Sequence, residues 1–183
     1  MVSLKTPICD FGFKAPDFSL LGIDGKQYTL DKIKGVNGTL VMFICNHCPY
    51  VKAIHGRLVR DVKALQNLSI GVIAIMSNNP DEYKEDSLEN MKIIAKKKKF
   101  TFPYVYDETQ AVAKAYGAIC TPDFFGFNAN LELQYRGRLD LSGKDDAPNN
   151  ARRDLYEAMK EVAKTNFGPI NQIASIGCSI KWR

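Results

Sequence analysis

The 183-residue sequence has few cysteines and no long apolar runs, and each shortage excludes a class of protein. Five cysteines are too few for a scaffold held together by disulfides, and an odd number cannot all pair within one chain. The longest apolar runs, residues 40–45 and 71–76, have the length of a strand and are too short to span a bilayer. The first seven residues show no apolar core of a signal peptide. We therefore expect a cytoplasmic protein with reduced thiols and no membrane partner.

Low-complexity segments and internal repeats are also absent from the sequence. Charged residues make up 25% of the chain, which is near the globular average and argues against a disordered or fibrous protein. A chain of this length can bury enough surface to fold without disulfides. We predict a single domain over residues 1–183, with a core at about residues 15–165 and a tail at residues 166–183.

The formal net charge of +5 lies partly in four consecutive lysines, residues 96–99. No interleaved aromatic residues and no nucleic-acid motif accompany this run. The lysines also close a predicted helix, where cations favour the negative end of the helix dipole. We interpret them as a solvated helix end and expect no nucleic-acid partner.

The spacing of apolar residues predicts an α/β fold. Strands are predicted over residues 15–20, 27–30, 39–44, 69–76, 101–106, 123–127 and 131–138, and helices over residues 50–68, 83–99, 109–116 and 150–164. This order implies a mixed central sheet with helices on both faces, preceded by an N-terminal β-hairpin.

The most informative segment is residues 43–51, which reads FICNHCPYV. Cys45 and Cys48 form a Cys-x-x-Cys pair between a buried strand and a helix, which is the expected context of a redox motif. A helix N-terminus carries partial positive charge and free N–H groups, which stabilise a thiolate and lower its pKa. Because a thiolate attacks and a second thiol resolves the mixed disulfide, the pair predicts thiol–disulfide chemistry. Metal binding and simple burial of two small side chains are the alternatives.

Three motifs, in this order, resemble the thioredoxin-fold superfamily and within it the peroxiredoxin-like branch of alkyl hydroperoxide reductases and thiol-specific antioxidants. They are APDF at residues 15–18 with DGK at 24–26, CNHCP at 45–49, and CTPDFF at 120–125. The resemblance runs over about residues 15–164 and implies a thioredoxin-like fold with these motifs as hairpin, active-site loop and cis-proline loop. The ending GCSIKW, residues 177–182, is similar to tails in other thioredoxin-family proteins.

The resemblance also assigns roles around the proline loop. It implies a cis bond between Thr121 and Pro122, a substrate groove lined by both residues, and a preceding backbone that is free to pair with a substrate chain. Cys120, beside this proline, is either an additional resolving thiol or metal ligand, or a buried packing residue. Cys9 and Cys178 lie near opposite ends of the chain and have no assigned role, although Cys178 is a candidate for a distant resolving cysteine.

Either cysteine of the pair is a candidate nucleophile. In thioredoxins the first cysteine attacks, which favours Cys45. The spacing favours Cys48, because it follows Phe43 by five residues, as the thioredoxin nucleophile follows its strand, and because Pro49 comes next. We favour Cys48 as the nucleophile at the helix N-cap and Cys45 as the resolving thiol. His47 either lowers the pKa of its neighbours as a charged side chain or is an exposed loop residue.

We predict a thiol–disulfide oxidoreductase that needs no cofactor, and thiol-dependent peroxidase is the first alternative. The peroxiredoxin pattern has Thr or Ser where this chain has Cys45, a proline that this loop lacks, and a later arginine whose position falls near residues 120–122. Arg136 and Arg138 lie further along. The expected partners are a protein disulfide or a small thiol or peroxide substrate, and a cellular reductant, with the chain a monomer or homodimer.

Two other functions stay open at this point. A copper- or zinc-binding module would use Cys45, His47, Cys48 and Cys120, a soft ligand set. A thioredoxin-like interaction domain without redox activity is the other alternative.

Overall fold

A computed structural model describes residues 2–183 of the protein. The secondary-structure elements in chain order are β1 (Ser3–Lys5), β2 (Ser19–Gly22), β3 (Gln27–Thr29), α1 (Leu30–Ile33), β4 (Thr39–Phe43), α2 (Pro49–Gln66), β5 (Gly71–Met76), α3 (Leu88–Lys98), β6 (Tyr104–Tyr106), α4 (Ala111–Tyr116), β7 (Cys120–Thr121), β8 (Asp123–Phe127), β9 (Leu133–Tyr135), α5 (Asp154–Thr165) and β10 (Ile176–Ser179).

Seven strands form a mixed central sheet in the order β3-β2-β6-β5-β4-β8-β9. Strand β4 pairs in parallel with β5 and β5 in parallel with β6, whereas the other neighbours are antiparallel. The hairpin of β2 and β3 forms around the predicted Asp-Gly turn, with Gly25 at a φ of 79°. The predicted α/β architecture with an N-terminal hairpin is therefore the observed one.

Strand β4 lies in the middle of the fold, and all five of its residues are buried. Because alternate side chains of a strand point to opposite faces, Leu40 and Met42 join one hydrophobic cluster while Val41 and Phe43 join another. The first cluster takes in α2, α3 and α5, and the second takes in α1 and α4. The sheet is thus covered by helices on both faces.

Helix α2 carries the Cys-x-x-Cys segment at its start. Pro49 occupies the first turn, where its missing N–H costs nothing. The apolar positions that predicted this helix are all buried: Val51, Ile54, Leu58, Val62 and Leu65. The helix therefore shares the first hydrophobic cluster with Leu40 and Met42 of β4, and its N-terminus follows the end of that strand in the chain.

Two helices begin four or five residues later than predicted. The helix predicted over residues 83–99 is interrupted, because Lys84–Asp86 form a 3₁₀ turn and Ser87 starts α3 by accepting a hydrogen bond from the Asn90 N–H at 3.3 Å. Helix α5 begins at Asp154 and not at residue 150. The lysine run does end α3, with Lys99 in the left-handed conformation.

A second sheet was not predicted. Strand β10, from the supposed tail, lies between β1 and β7 and pairs antiparallel with both. These strands have only two to four residues each, which is too short for a period-two pattern to be recognised. Within residues 2–183, no helix is both long and apolar enough to cross a membrane.

Candidate active site

Cys48 is the N-cap residue of α2 and the centre of the site. Its backbone is extended, and its carbonyl accepts hydrogen bonds from the N–H groups of Val51 at 3.1 Å and Lys52 at 2.9 Å. The side chain therefore lies at the positive end of the helix dipole. Cys48 is 0% exposed to solvent, so its thiol is entirely covered by protein.

The surroundings of Cys48 favour its thiolate. The hydrogen bond from the Cys45 thiol lowers the pKa of Cys48 to about 5, against the opposing effect of burial. The side chain and backbone N–H of Cys178 and the backbone N–H of Val51 add to the lowering. The Cys48 Sγ lies 2.9 Å from the Cys178 Sγ. The Thr121 carbonyl oxygen, 3.1 Å away, accepts a hydrogen bond from the protonated Cys48 thiol and does not stabilise the thiolate.

Cys45 has the opposite character. Burial raises the pKa of Cys45 well above its ordinary value, and the neighbouring Cys48 and Asp86 add to the shift. Its Sγ lies 3.1 Å from the Thr121 Oγ1 and 3.6 Å from the His47 Nδ1. The opposite directions of the two pKa shifts make Cys45 the thiol of the pair that keeps its proton and Cys48 the one that ionises.

His47 is not an exposed loop side chain, because it is buried against Asp86. The His47 Nδ1 lies 2.6 Å from the Asp86 Oδ2, and the imidazole stacks on the Tyr83 ring with centroids 3.9 Å apart. The Asp86 carboxylate also accepts from the backbone N–H groups of Asn46 at 2.7 Å and His47 at 3.1 Å, and from the Asn78 side chain at 2.9 Å. Burial by itself would raise the pKa of Asp86, but the hydrogen bonds from His47 and Asn78 hold it below its ordinary value.

The hydrogen bonds that Asp86 already accepts argue against a metal site in this cluster. Among residues 2–183, possible ligand atoms of Cys45, His47 and Asp86 lie within 4.8 Å of one another. This cluster contains Cys45 and His47 of the predicted ligand set, but it has Asp86 where the prediction had Cys48 and Cys120. A carboxylate has about four acceptor positions, and Asp86 already receives four N–H groups. Asp86 therefore shapes the loop and is poorly suited as a ligand.

Thr121 joins both cysteines of the pair. The Thr121–Pro122 peptide bond is cis, and Thr121 belongs to β7. Its hydroxyl contacts the Cys45 Sγ and its carbonyl contacts the Cys48 Sγ, each at 3.1 Å. The Cys120 side chain points elsewhere, with its Sγ 3.7 Å from the Pro122 carbonyl oxygen, and burial raises the pKa of its thiol.

The two arginines of the last hairpin are engaged with carboxylates. The Arg136 guanidinium donates to the Asp123 Oδ2 at 2.9 Å and to the Gly117 carbonyl at 2.7 Å. Arg138 donates to Asp154 at 2.7 Å. Their contacts are thus structural, and no described contact links either one to Cys48.

Sequence reasoning did not find Asp86 as part of the site and left Cys178 without a defended role. Asp86 lies in a segment predicted as an ordinary amphipathic helix, and only its fixed turn brings it under the loop. Cys178 lies 130 positions from Cys48 in the chain, so the only signal for it was the similarity of the tail to other thioredoxin-family endings.

The model of the AhpC/TSA family matches residues 11–137, more than half of the sequence. The chain belongs to the AhpC/TSA family. The match contains both cysteines of the pair and the Thr121–Pro122 loop, and it ends before α5 and β10. No curated protein matches the chain.

Solved structures extend the similarity of this AhpC/TSA protein to the whole chain. An uncharacterized conserved protein from Geobacillus kaustophilus is 41% identical, with a TM-score of 0.94 over 100% of this chain and 97% of that one. A hypothetical protein from Sinorhizobium meliloti 1021 is 35% identical, with a TM-score of 0.91 over 100% of this chain and 99% of that one.

The thioredoxin domain of a thiol-disulfide oxidoreductase from Bacteroides vulgatus shares the fold at 15% identity, with a TM-score of 0.64 over 84% of this chain and 97% of that one. At this identity the similarity concerns the fold alone. The chain has a thioredoxin-like fold, and the family supports a redox function.

Proposed function

We propose that the protein is a thiol–disulfide oxidoreductase in which Cys48 attacks the substrate and Cys45 is the resolving thiol of the pair. The observation that carries this proposal is the site of Cys48, at the N-cap of α2 with the Cys45 thiol donating to it, where its pKa is lowered to about 5. A thiolate is the attacking species in disulfide exchange, and positions of this kind favour it at neutral pH.

The reaction proceeds in two exchanges. The Cys48 thiolate attacks one sulfur of a substrate disulfide R–S–S–R′, which forms a mixed disulfide Cys48–S–S–R and releases R′S⁻. The Cys45 thiol then loses its proton and attacks the Cys48 Sγ, which forms the Cys45–Cys48 disulfide and releases R–S⁻, the group that takes up the proton. A cellular dithiol or two thiols reduce the pair again and complete the cycle.

The opposite pKa shifts of the two thiols divide these roles. The raised pKa of Cys45 keeps it protonated while Cys48 is ionised, so only Cys48 is ready to attack first. A thiol with a low pKa is also a good leaving group. The Cys45–Cys48 disulfide is therefore readily opened at Cys48 by an incoming reductant.

Neighbouring residues support this chemistry. Pro49 begins α2 immediately after Cys48 and fixes the helix start. His47, with Asp86, holds the loop between the two cysteines. Thr121 and Pro122 line the substrate groove in this proposal, since Thr121 contacts both thiols. Cys120 supports the loop by packing.

An insulin-reduction assay with dithiothreitol tests the proposal. We expect activity above the background for the intact chain and for Cys120→Ser, whose thiol lies outside the exchange, and no activity for Cys48→Ser. An intact chain that gives only the background rate would contradict the proposed oxidoreductase. A stable mixed disulfide on Cys45 in the Cys48→Ser variant would reverse the assignment of the nucleophile.

Thiol-dependent peroxidase is the second candidate, and membership of the AhpC/TSA family is the observation that favours it. Against it, Arg136 is held by Asp123 and Gly117 and is not available as an anion-binding group. Stopped-flow mixing of the reduced protein with hydrogen peroxide separates the two functions. A fast second-order reaction that Cys48→Ser abolishes would establish the peroxidase.

The nature of the physiological partner is a prediction from the sequence alone. A protein disulfide or a small thiol or peroxide is the expected substrate, with a cellular reductant for the return step. The cytoplasmic location, the single-domain organisation and the choice between monomer and homodimer also stay predictions.

A further inference from the structure

The last strand of the chain lies on the backbone edge beside the active site. Strand β10 pairs antiparallel with β7, with Cys178 opposite Thr121 and Ser179 opposite Cys120. The Ile180 N–H extends the pairing by donating to the Ile119 carbonyl at 3.0 Å. In the proposed function, this is the edge on which an extended substrate chain would add as a strand. The chain therefore covers its own substrate edge.

The fit of β10 at this edge depends on a glycine. A Cβ added to Gly177 would lie 2.1 Å from the Thr121 carbonyl oxygen and 3.0 Å from the Pro122 nitrogen. Any other residue at position 177 would thus force β10 away from the proline loop. The Ser175 hydroxyl donates to the Pro122 carbonyl at 2.8 Å and holds the preceding residues on the same loop.

The segment after β10 is also tied to the body of the protein. The Lys181 N–H donates to the Asn78 side chain at 2.9 Å, and the Lys181 carbonyl accepts from the Asn79 N–H at 2.9 Å. Asn78 also donates to Asp86, which holds the loop that contains His47. Asn78 therefore connects the segment after β10 with that loop. The strand is thus held on both sides of Cys178.

The position of Cys178 on this strand makes it a partner for the nucleophile. The Cys178 Sγ lies 2.9 Å from the Cys48 Sγ, and a disulfide requires about 2.05 Å, so the two sulfurs need to approach by only about 0.9 Å. Cys178 is 2% exposed and Cys48 is 0% exposed, so solvent does not separate the thiols. Simple packing would explain why Cys178 is buried. It would not explain why β10 pairs with β7 beside Cys48 and places the Cys178 thiol against the Cys48 sulfur.

We propose that β10 is an internal substrate of the active site and that Cys178 is a second resolving cysteine, which forms a disulfide with Cys48. The proposal rests on the proposed function, since it requires Cys48 to be the nucleophile. An external chain and β10 would occupy the same edge, so one excludes the other. The return of β10 after the first exchange would displace the bound substrate and bring the resolving thiol with it.

The exchange balances with a disulfide as the only oxidant. With glutathione disulfide, the Cys48 thiolate attacks one sulfur, forms Cys48–S–S–glutathione and releases one glutathione thiolate. Cys178 then loses its proton and attacks the Cys48 Sγ, which forms the Cys48–Cys178 disulfide and releases the second glutathione as a thiol that carries that proton. Two electrons pass from the two cysteines to the disulfide that is reduced.

The test uses the full chain with Cys45→Ser, so that the ordinary resolving thiol is absent, and glutathione disulfide as the probe. The reduced variant is mixed with the probe, quenched with acid over time, alkylated and mapped by mass spectrometry without reduction. We expect a transient glutathione adduct on Cys48 that gives way to a peptide pair linked through Cys48 and Cys178. In Cys45→Ser/Cys178→Ser we expect the adduct to persist, with complete loss of the internal disulfide.

The outcomes separate the inference from the proposed function. A stable adduct on Cys48 in Cys45→Ser would overturn the role of Cys178 and leave Cys48 as the nucleophile. No adduct and no disulfide on Cys48 in either variant would overturn the proposed function itself. Cys45→Ser/Cys120→Ser is the matched control, because Cys120 is a buried thiol on the neighbouring strand, and it should behave like Cys45→Ser.

A variant that keeps every other thiol tests the role of the strand. In Cys45→Ser/Gly177→Ala, the added Cβ collides with the Thr121 carbonyl, so we expect the adduct on Cys48 to persist although Cys178 is present. Gly56→Ala in the same background is the control, because a Cβ at Gly56 meets nothing within 4 Å. Equal rates of adduct resolution in the two variants would show that Cys178 resolves the adduct without the close pairing of β10 beside Thr121. That result would contradict the internal-substrate mechanism.

Discussion

Replacing Cys45 with alanine removes the strongest single support of the Cys48 thiolate. The hydrogen bond from Cys45 is the largest cause that lowers the pKa of Cys48 to about 5, and the other donors, Cys178 and the Val51 N–H, stay in place. Burial of Cys48 opposes ionisation and is not relieved by the substitution. We therefore expect the midpoint of thiolate formation to move up in Cys45→Ala and to stay below that of an ordinary thiol.

The size of the shift follows from the strength of one bond. A hydrogen bond to a charged group contributes about 1.5–3 kcal/mol, and one pKa unit corresponds to about 1.36 kcal/mol. The loss of the Cys45 donor should thus raise the Cys48 midpoint by about 1–2 pH units, from about 5 to about 6–7. Because the folded-state pKa rises towards the ordinary value, the thiolate of the variant is lost at a higher pH on acidification.

Ultraviolet absorbance of the thiolate measures this midpoint without requiring access to the buried sulfur. Subtraction of the Cys48→Ser titration isolates one group, since burial raises the pKa of Cys9 to about 11 and of Cys178 to about 12. Cys120→Ala is the control, because its Sγ contacts the Pro122 carbonyl, and it should leave the midpoint unchanged. An unchanged midpoint in Cys45→Ala would refute the assignment of Cys45 as the donor.

Three further predictions concern residues that support the site. Asp86→Ala leaves up to four N–H groups without their acceptor and should lower the free energy of unfolding by at least about 3 kcal/mol in urea; a loss below about 1 kcal/mol would contradict its role in holding the loop. Arg136→Ala leaves the buried Asp123 carboxylate without its partner and should lower the free energy of unfolding by about 3–5 kcal/mol in urea. If Arg136 instead bound peroxide, the substitution would remove activity without this loss of stability. Gly71→Ala puts a Cβ 1.8 Å from the Ile33 carbonyl oxygen and should lower the free energy of unfolding by about 1–3 kcal/mol. Gly56→Ala, inside α2 with open space around its Cβ, is the comparison and should raise it by up to about 1 kcal/mol. A Gly71→Ala protein that melts no lower than the unsubstituted chain would show that the Gly71–Ile33 approach relaxes freely.

The low pKa of Cys48 assists departure more than attack. At pH 7 a thiol with a pKa of about 5 is about 99% ionised, against about 1% for one near 9, a gain of about 100-fold in thiolate. Nucleophilicity falls with pKa by a Brønsted slope of about 0.4–0.5, so a four-unit shift lowers the reactivity of each thiolate by about 40–100-fold. The two effects nearly cancel for attack at neutral pH. The remaining advantage is that Cys48 leaves readily when another thiol attacks its disulfide.

Long periodic elements of the fold were predictable from the sequence, and short ones were not. Strand β4 and helix α2 were found because β-branched and helix-spaced apolar residues are buried along their whole length. Strands β1 and β10 were missed because three or four residues carry no readable period, and they form only by pairing with each other and with β7. The break before α3 was missed because the turn at Lys84–Asp86 is fixed by the contacts of Asp86 with a distant loop.

The same distinction holds for the site. Cys45, Cys48 and the Thr121–Pro122 loop were predicted because each belongs to a local motif with its own chemistry. Asp86 and Cys178 have no such motif, and they reach the site only through tertiary pairing across 39 and 130 positions of the chain. The assignment of catalytic roles to the cysteines stays a prediction, to be decided by the variants described above.

The proposed nucleophile is buried and is also a good leaving group, so access to it would control the reaction. Cys48 has no solvent exposure and its sulfur touches Cys178, so under the proposed mechanism a protein substrate reaches it after β10 leaves its edge. Strand β10 pairs with β1 over three residues but with β7 over only two, and the shorter pairing is the one that a substrate chain would replace. Because the Cys48–Cys178 disulfide would open easily at Cys48, closure by oxidation would be reversible by ordinary thiols. The strand and the low pKa thus act together: one decides which thiol meets Cys48, and the other keeps each resulting disulfide exchangeable.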